Sequence, residues 1–263
     1  LIDRYSGIAA MAGISLPSSG GENKSDFVVA TLTSKDFFSR IIEIDGILEN
    51  LMAVKRYDAE TNQVIYDPKK FELIYSNPIV NNLMGKNKTR DILHVKGKFK
   101  DNILHIFVNH WPSNYGGKEK SIPKRNSTAK LIINEIKKIK KTESRANIIL
   151  LGDFNENPDD ENVALLKSVG LNSLMVGMIG KKNVGTYRYR GTNYLYDQII
   201  VSEEIIDKKG VTIADSSVYI LDLPKYRQHE GKYNMYPFRF WAGNRLLGGY
   251  SDHLAIKVDL VLN

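Results

Sequence analysis

The stretch Ile148-Ile149-Leu150-Leu151-Gly152-Asp153-Phe154-Asn155 decides how the rest of the chain is read. Four apolar residues in succession predict a short buried strand. The chain then delivers a carboxylate and an amide two residues apart, and side chains two apart on extended backbone point the same way. Asp153 and Asn155 therefore address one small volume. A carboxylate can hold a hard cation or a water, and an amide can donate to a phosphate oxygen. Asp and Asn are equally at home in turns, so the segment needs company before it means chemistry.

Working outward, residues 27–32, 103–108 and 198–201 predict further buried strands, and 255–262 alternates apolar and polar residues as a strand with one covered face does. Residues 124–141 place Leu131, Ile132, Ile136 and Ile139 at helical spacing with lysines opposite, so the lysine run reads as a wet helix face. A second helix, 159–169, follows Asn157-Pro158 and opens with acidic residues. Strands interleaved with helices, with no internal repeat or dividing linker, predict one α/β domain over 27–263. Residues 1–26 read as a loose arm. Residues 1–21 are Gly/Ser-rich and lack a basic stretch before a sustained apolar core, so they are not a complete signal peptide; the alternative to a loose arm is the trimmed remnant of one.

Of 263 residues, 42% are hydrophobic and 25% charged, which is ordinary for a globular chain that buries its own core. The absence of cysteine excludes disulfides, thiolate metal sites and a cysteine nucleophile, and leaves the compartment open. No apolar run reaches the roughly 20 residues that cross a bilayer, so no stable membrane insertion is expected. The net charge of +7 favours a polyanionic partner, though a lysine-rich solvated surface gives the same number. No protein partner is inferred.

Two further segments share the design of the first. Ser251-Asp252-His253 precedes the final strand and offers a carboxylate beside a titratable imidazole. Such a His needs a second acid to orient its other ring nitrogen, and Asp197, which opens the strand 198–201, is the candidate. Asn109-His110-Trp111-Pro112-Ser113 again places polar groups at the end of an apolar strand. His94 and His105 lie inside strand-like stretches and His229 in a polar loop, so these three take a structural reading.

The segments Thr89-Arg90-Asp91, His110-Trp111-Pro112-Ser113, Gly152-Asp153-Phe154-Asn155, Tyr196-Asp197-Gln198-Ile199 and Ser251-Asp252-His253 occur in the order seen in the endonuclease/exonuclease/phosphatase superfamily. Over residues 64–263 the chain resembles its DNase I-like members, the bacterial branch in particular. The resemblance implies a four-layer sandwich, two packed and mostly antiparallel β-sheets flanked by helices. It implies Mg²⁺ or Mn²⁺ and in-line attack of water on phosphorus. His253 would be general base or transition-state stabiliser, oriented by Asp197. Asp153 would hold the nucleophilic water, Asn155 would contact the phosphate and His110 would neutralise developing charge. Asp252 would hold the metal or tune His253, and Arg90 would clamp the phosphate.

The amino-terminal part departs from that pattern. Thr33 stands where members carry a strand-ending Asn, and Glu49 is the metal-ligand candidate on a second strand that follows too closely for the usual helical crossover. Within the hydrolase reading a nuclease comes first, because Tyr187-Arg188-Tyr189-Arg190 interleaves aromatic rings with cations that can stack bases and hold phosphates. The alternatives are a phosphodiesterase or phosphatase acting on phospholipid, sugar or inositol phosphates, and a phosphate-binding pseudoenzyme of the same fold.

Overall fold

A computed structural model describes residues 69–83, 87–242 and 245–263. The loose arm, the strand 27–32, Thr33 and Glu49 lie outside the described residues. By its contacts the chain divides into Leu1–Leu51 with Asn244–Leu246, and Met52–Gly243 with Leu247–Asn263. Apart from the strand Arg245–Leu246, which belongs to the first unit, the description below concerns the second unit.

The elements run β1 (Phe71–Ile79), β2 (Asn82–Leu83), β3 (Asn87–Lys88), β4 (Ile92–Phe99), β5 (Asn102–His110), α1 (Lys118–Thr142), β6 (Asn147–Asp153), α2 (Glu161–Ala164), β7 (Leu171–Ser173), β8 (Tyr187–Tyr189), β9 (Thr192–Tyr194), β10 (Asp197–Ser202), α3 (Glu203–Ile206), β11 (Val211–Ile213) and β12 (Tyr219–Ile220). After β13 (Trp241–Ala242) and β14 (Arg245–Leu246), the chain ends on β15 (Ile256–Lys257) and β16 (Leu260–Leu262).

Six strands form one sheet in the order β1-β4-β5-β6-β10-β7. All neighbours are antiparallel except β5 and β6, whose parallel pairing requires the crossover that α1 supplies. Both faces of this sheet are buried, and the strands divide their side chains between them. Ile92, Phe107, Ile148, Leu150 and Ile200 face one way and pack with Ala129, Ile132 and Ile136 of α1. Leu93, Val95, Leu104 and Ile106 face the other way and pack with Val211 and Leu260. Ile149, Ile199 and Val201 continue that second face against Ile213, Ile256 and Val258. Those partners belong to a second antiparallel layer, in which β11 pairs with β16 and β12 with β15. Two packed, mostly antiparallel sheets with a helix on the outer face are the architecture expected from the sequence. Three of its four layers lie among the described residues.

Boundaries needed correction in three places. Helix α1 begins six residues before the expected start and carries Pro123 inside its second turn; residues 118–121 are polar and gave no periodic signal. The helix expected over 159–169 is α2 followed by a 3-10 turn, Leu165–Val169, ended by Gly170 at φ 75°. The strand expected over 255–262 breaks between β15 and β16, where Asp259 exchanges hydrogen bonds with Ser217.

Candidate active site

Register assembles the site. In the six-stranded sheet His110 at the end of β5 is the partner of Asp153 at the end of β6, and Asp153 is the partner of Asp197 at the start of β10. Residues of matched parity on paired strands share a face, so the three polar groups form one row on the face toward the second sheet. Gly152 precedes the row because nothing else fits. Its φ is 124°, and a Cβ there would stand 2.0 Å from the Asn109 carbonyl oxygen.

Beyond the strand end the chain folds back on Asp153. The Asn155 backbone N–H donates to Asp153 Oδ1 at 2.8 Å, and its side-chain amide donates to Asp153 Oδ2 at 3.1 Å and to the Trp111 carbonyl at 3.1 Å. Asn155 is 7% exposed and holds φ 51°, a conformation Asn tolerates better than most residues. Its amide thus holds the carboxylate from behind. The Trp111 N–H donates to the Asp153 carbonyl at 2.8 Å, which ties the His110 loop to the Asp153 loop.

His253 arrives from the loop before β15. Its Nδ1 meets Asp197 Oδ2 at 2.6 Å, and its ring stacks on Tyr187 with centroids 4.6 Å apart. With Nδ1 committed, Nε2 is the nitrogen available to a substrate. Burial opposes a charge on this ring, but the hydrogen bond and charge of Asp197, then the charges of Asp153 and Asp252, raise it to about 9. Asp153 moves in the same direction for another reason. Burial, then repulsion from Asp197, lift it to about 7. His110 Nε2 lies 3.5 Å from Asp153 Oδ2. Desolvation, then the charges of Arg90 and His253, push His110 down to about 4, so it faces Asp153 as a neutral ring.

The remaining expected residues sit at the rim. Arg90 is exposed and close enough to act electrostatically on His110 and Asp153. Tyr187 has its ring packed against His253 and Tyr196, so the open ring of the pair is Tyr189, 49% exposed. Arg188 lies over the Tyr236 ring at 5.4 Å, and Arg190 over Tyr189 at 5.3 Å. Asp252 is exposed, 4.0 Å from Arg239. Asp153, Asp197 and Asp252 all bear electrostatically on His253, so oxygen donors of the kind a hard cation takes lie near the ring. Among the described residues no three such groups stand together as a complete ligand set.

Two contributors carry no signature in the sequence. Asn114 donates to the Asn155 carbonyl at 2.9 Å and to the Tyr196 hydroxyl at 3.2 Å. Arg125, on the inner face of α1, is fully buried and meets Glu156 Oε1 at 2.7 Å. The helical lysine pattern hides it as one more cation.

A model of the endonuclease/exonuclease/phosphatase family matches residues 59–261. The chain belongs to that family. No curated protein matches this family member. Similar solved structures include the human Nocturnin catalytic domain with bound sulfate, at 20% identity and a TM-score of 0.49, covering 74% of this chain and 61% of that one. The chain thus spans about three fifths of the Nocturnin chain it matches. Another is D. rerio TDP2 complexed with a single-strand DNA product, at 16% identity and TM-score 0.48, covering 73% and 69%. A mannosyl-6-phosphatase of Bacteroides thetaiotaomicron VPI-5482 matches at 18% identity and TM-score 0.45, covering 74% and 69%.

Proposed function

We propose that this family member is a divalent-metal-dependent phosphoesterase of the bacterial branch, and a nuclease within that class. The observation that carries the reading is the row His110–Asp153–Asp197 with His253 bonded to Asp197 at 2.6 Å. An acid-held imidazole facing a second buried carboxylate suits attack of water on phosphorus, where positioning and electrostatic stabilisation supply most of the rate.

In this reading Asp153 accepts a proton from the attacking water. Its oxygens already take bonds from Asn155, yet a carboxylate has lone pairs to spare. His253, held by Asp197, presents Nε2 to a phosphate oxygen as charge builds there. Neutral His110 donates to the phosphate or leaving oxygen, and Arg90 clamps the phosphate from the rim. Asp252, at the rim, would help hold Mg²⁺ or Mn²⁺, which would supply Lewis acidity toward the phosphoryl oxygens. The nuclease assignment is supported by the net charge of +7 and by Arg188, Tyr189 and Arg190, which follow in sequence the Tyr187 that stacks on His253.

The test is cleavage of plasmid DNA, single-stranded DNA and RNA with Mg²⁺ or Mn²⁺ by the wild type and by Asp153→Ala and His253→Ala. The reading requires cleavage by the wild type and none by either variant. Hydrolysis confined to a phospholipid or a sugar phosphate would replace the nuclease assignment. Activity surviving both changes would remove the site.

A further inference from the structure

The row that faces phosphate has a counterpart behind it, on the helix side of the sheet. Arg125 of α1 has no exposed surface, and the Glu156 side chain is 2% exposed. Arg125 Nε donates to Glu156 Oε1 at 2.7 Å, while Nη1 donates to the Pro112 carbonyl at 3.2 Å and to Ser121 Oγ at 2.8 Å. Glu156 takes further bonds from Asn162, at 2.7 Å from the amide and 3.2 Å from the backbone N–H. Its own carbonyl accepts from Gln198 Nε2 at 2.7 Å, in the strand that carries Asp197.

The placement matters more than the pairing. Pro112 is two residues past His110, and Glu156 is three past Asp153. One guanidinium therefore grips both loops that leave the sheet on either side of the His110–Asp153 contact. A buried ion pair is a weak source of stability, because the desolvation of two charges offsets their attraction, and apolar residues of similar volume serve as well. Arg125 Nη2 also finds no acceptor among the described residues. A planar fork with fixed donor directions does, however, set distances and angles that an apolar contact leaves loose.

We propose that Arg125 and Glu156 are positioning residues, a lock that fixes His110 against Asp153 from inside the protein without touching substrate. The assignment of a reaction to the row rests on the phosphoesterase reading; the lock itself does not. A displacement on the order of 1 Å at a reacting group is enough to lose about a hundredfold in rate.

The experiment compares the full-length wild type with Arg125→Lys and with the apolar double variant Arg125→Met, Glu156→Leu. Three quantities are read: kcat and KM on bis(p-nitrophenyl) phosphate with Mg²⁺, the urea midpoint, and amide exchange at Trp111 and Asn155 against amides of β4 and β5. Both reporter amides bond to Asp153, so they register its position directly. The lock predicts a double variant that still folds, at a urea midpoint lowered by the Asn162 donors and Pro112 carbonyl it leaves unpaired, with KM within about twofold. Its kcat should fall roughly ten- to a hundredfold, with protection at Trp111 and Asn155 falling more than tenfold while β4 and β5 stay protected. Arg125→Lys, which keeps the charge but loses the fork, should lie between. An unchanged kcat and unchanged protection in the double variant overturns the proposal. So does a double variant that fails to fold, since the pair would then be a stabilising contact. A wild type that cleaves no phosphoester removes the phosphoesterase reading alone, and the exchange data still decide the lock.

Discussion

Gly152 and Asp197 show two ways in which one residue can control the site. At Gly152 the constraint is backbone: an added methyl meets the Asn109 carbonyl, and φ is in the region L side chains avoid. Gly152→Ala should therefore destabilise by at least about 3 kcal/mol in urea unfolding and lower activity with it. At Asp197 the constraint is chemical. Asp197→Asn keeps the shape but removes the charge that holds His253, so kcat should fall on the order of 10²–10⁴ with an unchanged far-UV spectrum. A loss confined to KM would contradict the assigned role. Asp153, Asp197 and His253 were legible because each stands at the end or mouth of an apolar run, where a polar group is conspicuous. Arg125 and Asn114 were not, because their roles depend on which loops meet them, and no local pattern encodes that.

Between strands and helix, the polar chain inside the sheet governs stability rather than catalysis. His94 Nε2 meets His105 Nδ1 at 3.0 Å, His105 Nε2 meets Glu143 Oε2 at 3.1 Å, and Lys96 donates to Glu143 Oε1 at 2.6 Å. Tyr75 abuts the His94 ring edge-on and Phe107 stacks on it at 4.3 Å. If both rings are neutral, His105 donates to Glu143 and accepts from His94. Burial, then His105 and Lys96, hold His94 down at about 4, and burial lowers His105 as well. The sign follows from linkage: a folded-state value below the unfolded 6.5 means stability that is full above pH 6.5 and lost as pH falls toward about 4. The His94 share of that loss is roughly 3 kcal/mol, and unfolding free energies at pH 7, 5.5 and 4.5 should fall in that order. His94→Gln should flatten the dependence; an unaltered slope would assign it to other groups. The structural reading of these two histidines came from their position inside apolar strands, and the strands themselves followed from period and composition. The start of α1 and the break before β16 did not, since Pro123 and Asp259 are accommodated only once neighbours are present.

For the whole molecule, charge and topology set the behaviour. With a net charge of +7, nucleic-acid affinity should drop steeply with salt, and Arg188→Ala should reduce the slope of log affinity against log salt by about one. EDTA should abolish cleavage, and added Mg²⁺ or Mn²⁺ should restore it. A flat salt response would point away from a polyanionic substrate. The pairing of β5, β6 and β10 has one more consequence. Sliding β10 one residue along β6 would turn Ile199 and Val201 toward the helix and carry Asp197 off its partner at the same stroke. Core and polar row are thus proofread together. A molecule whose sheet has closed in the wrong register loses its apolar contacts before it can persist as an inactive conformer. Variants that stay folded yet fall silent should therefore map to the polar row itself and to the loops and contacts that seat it, and turnover per folded molecule becomes a gauge of that seating.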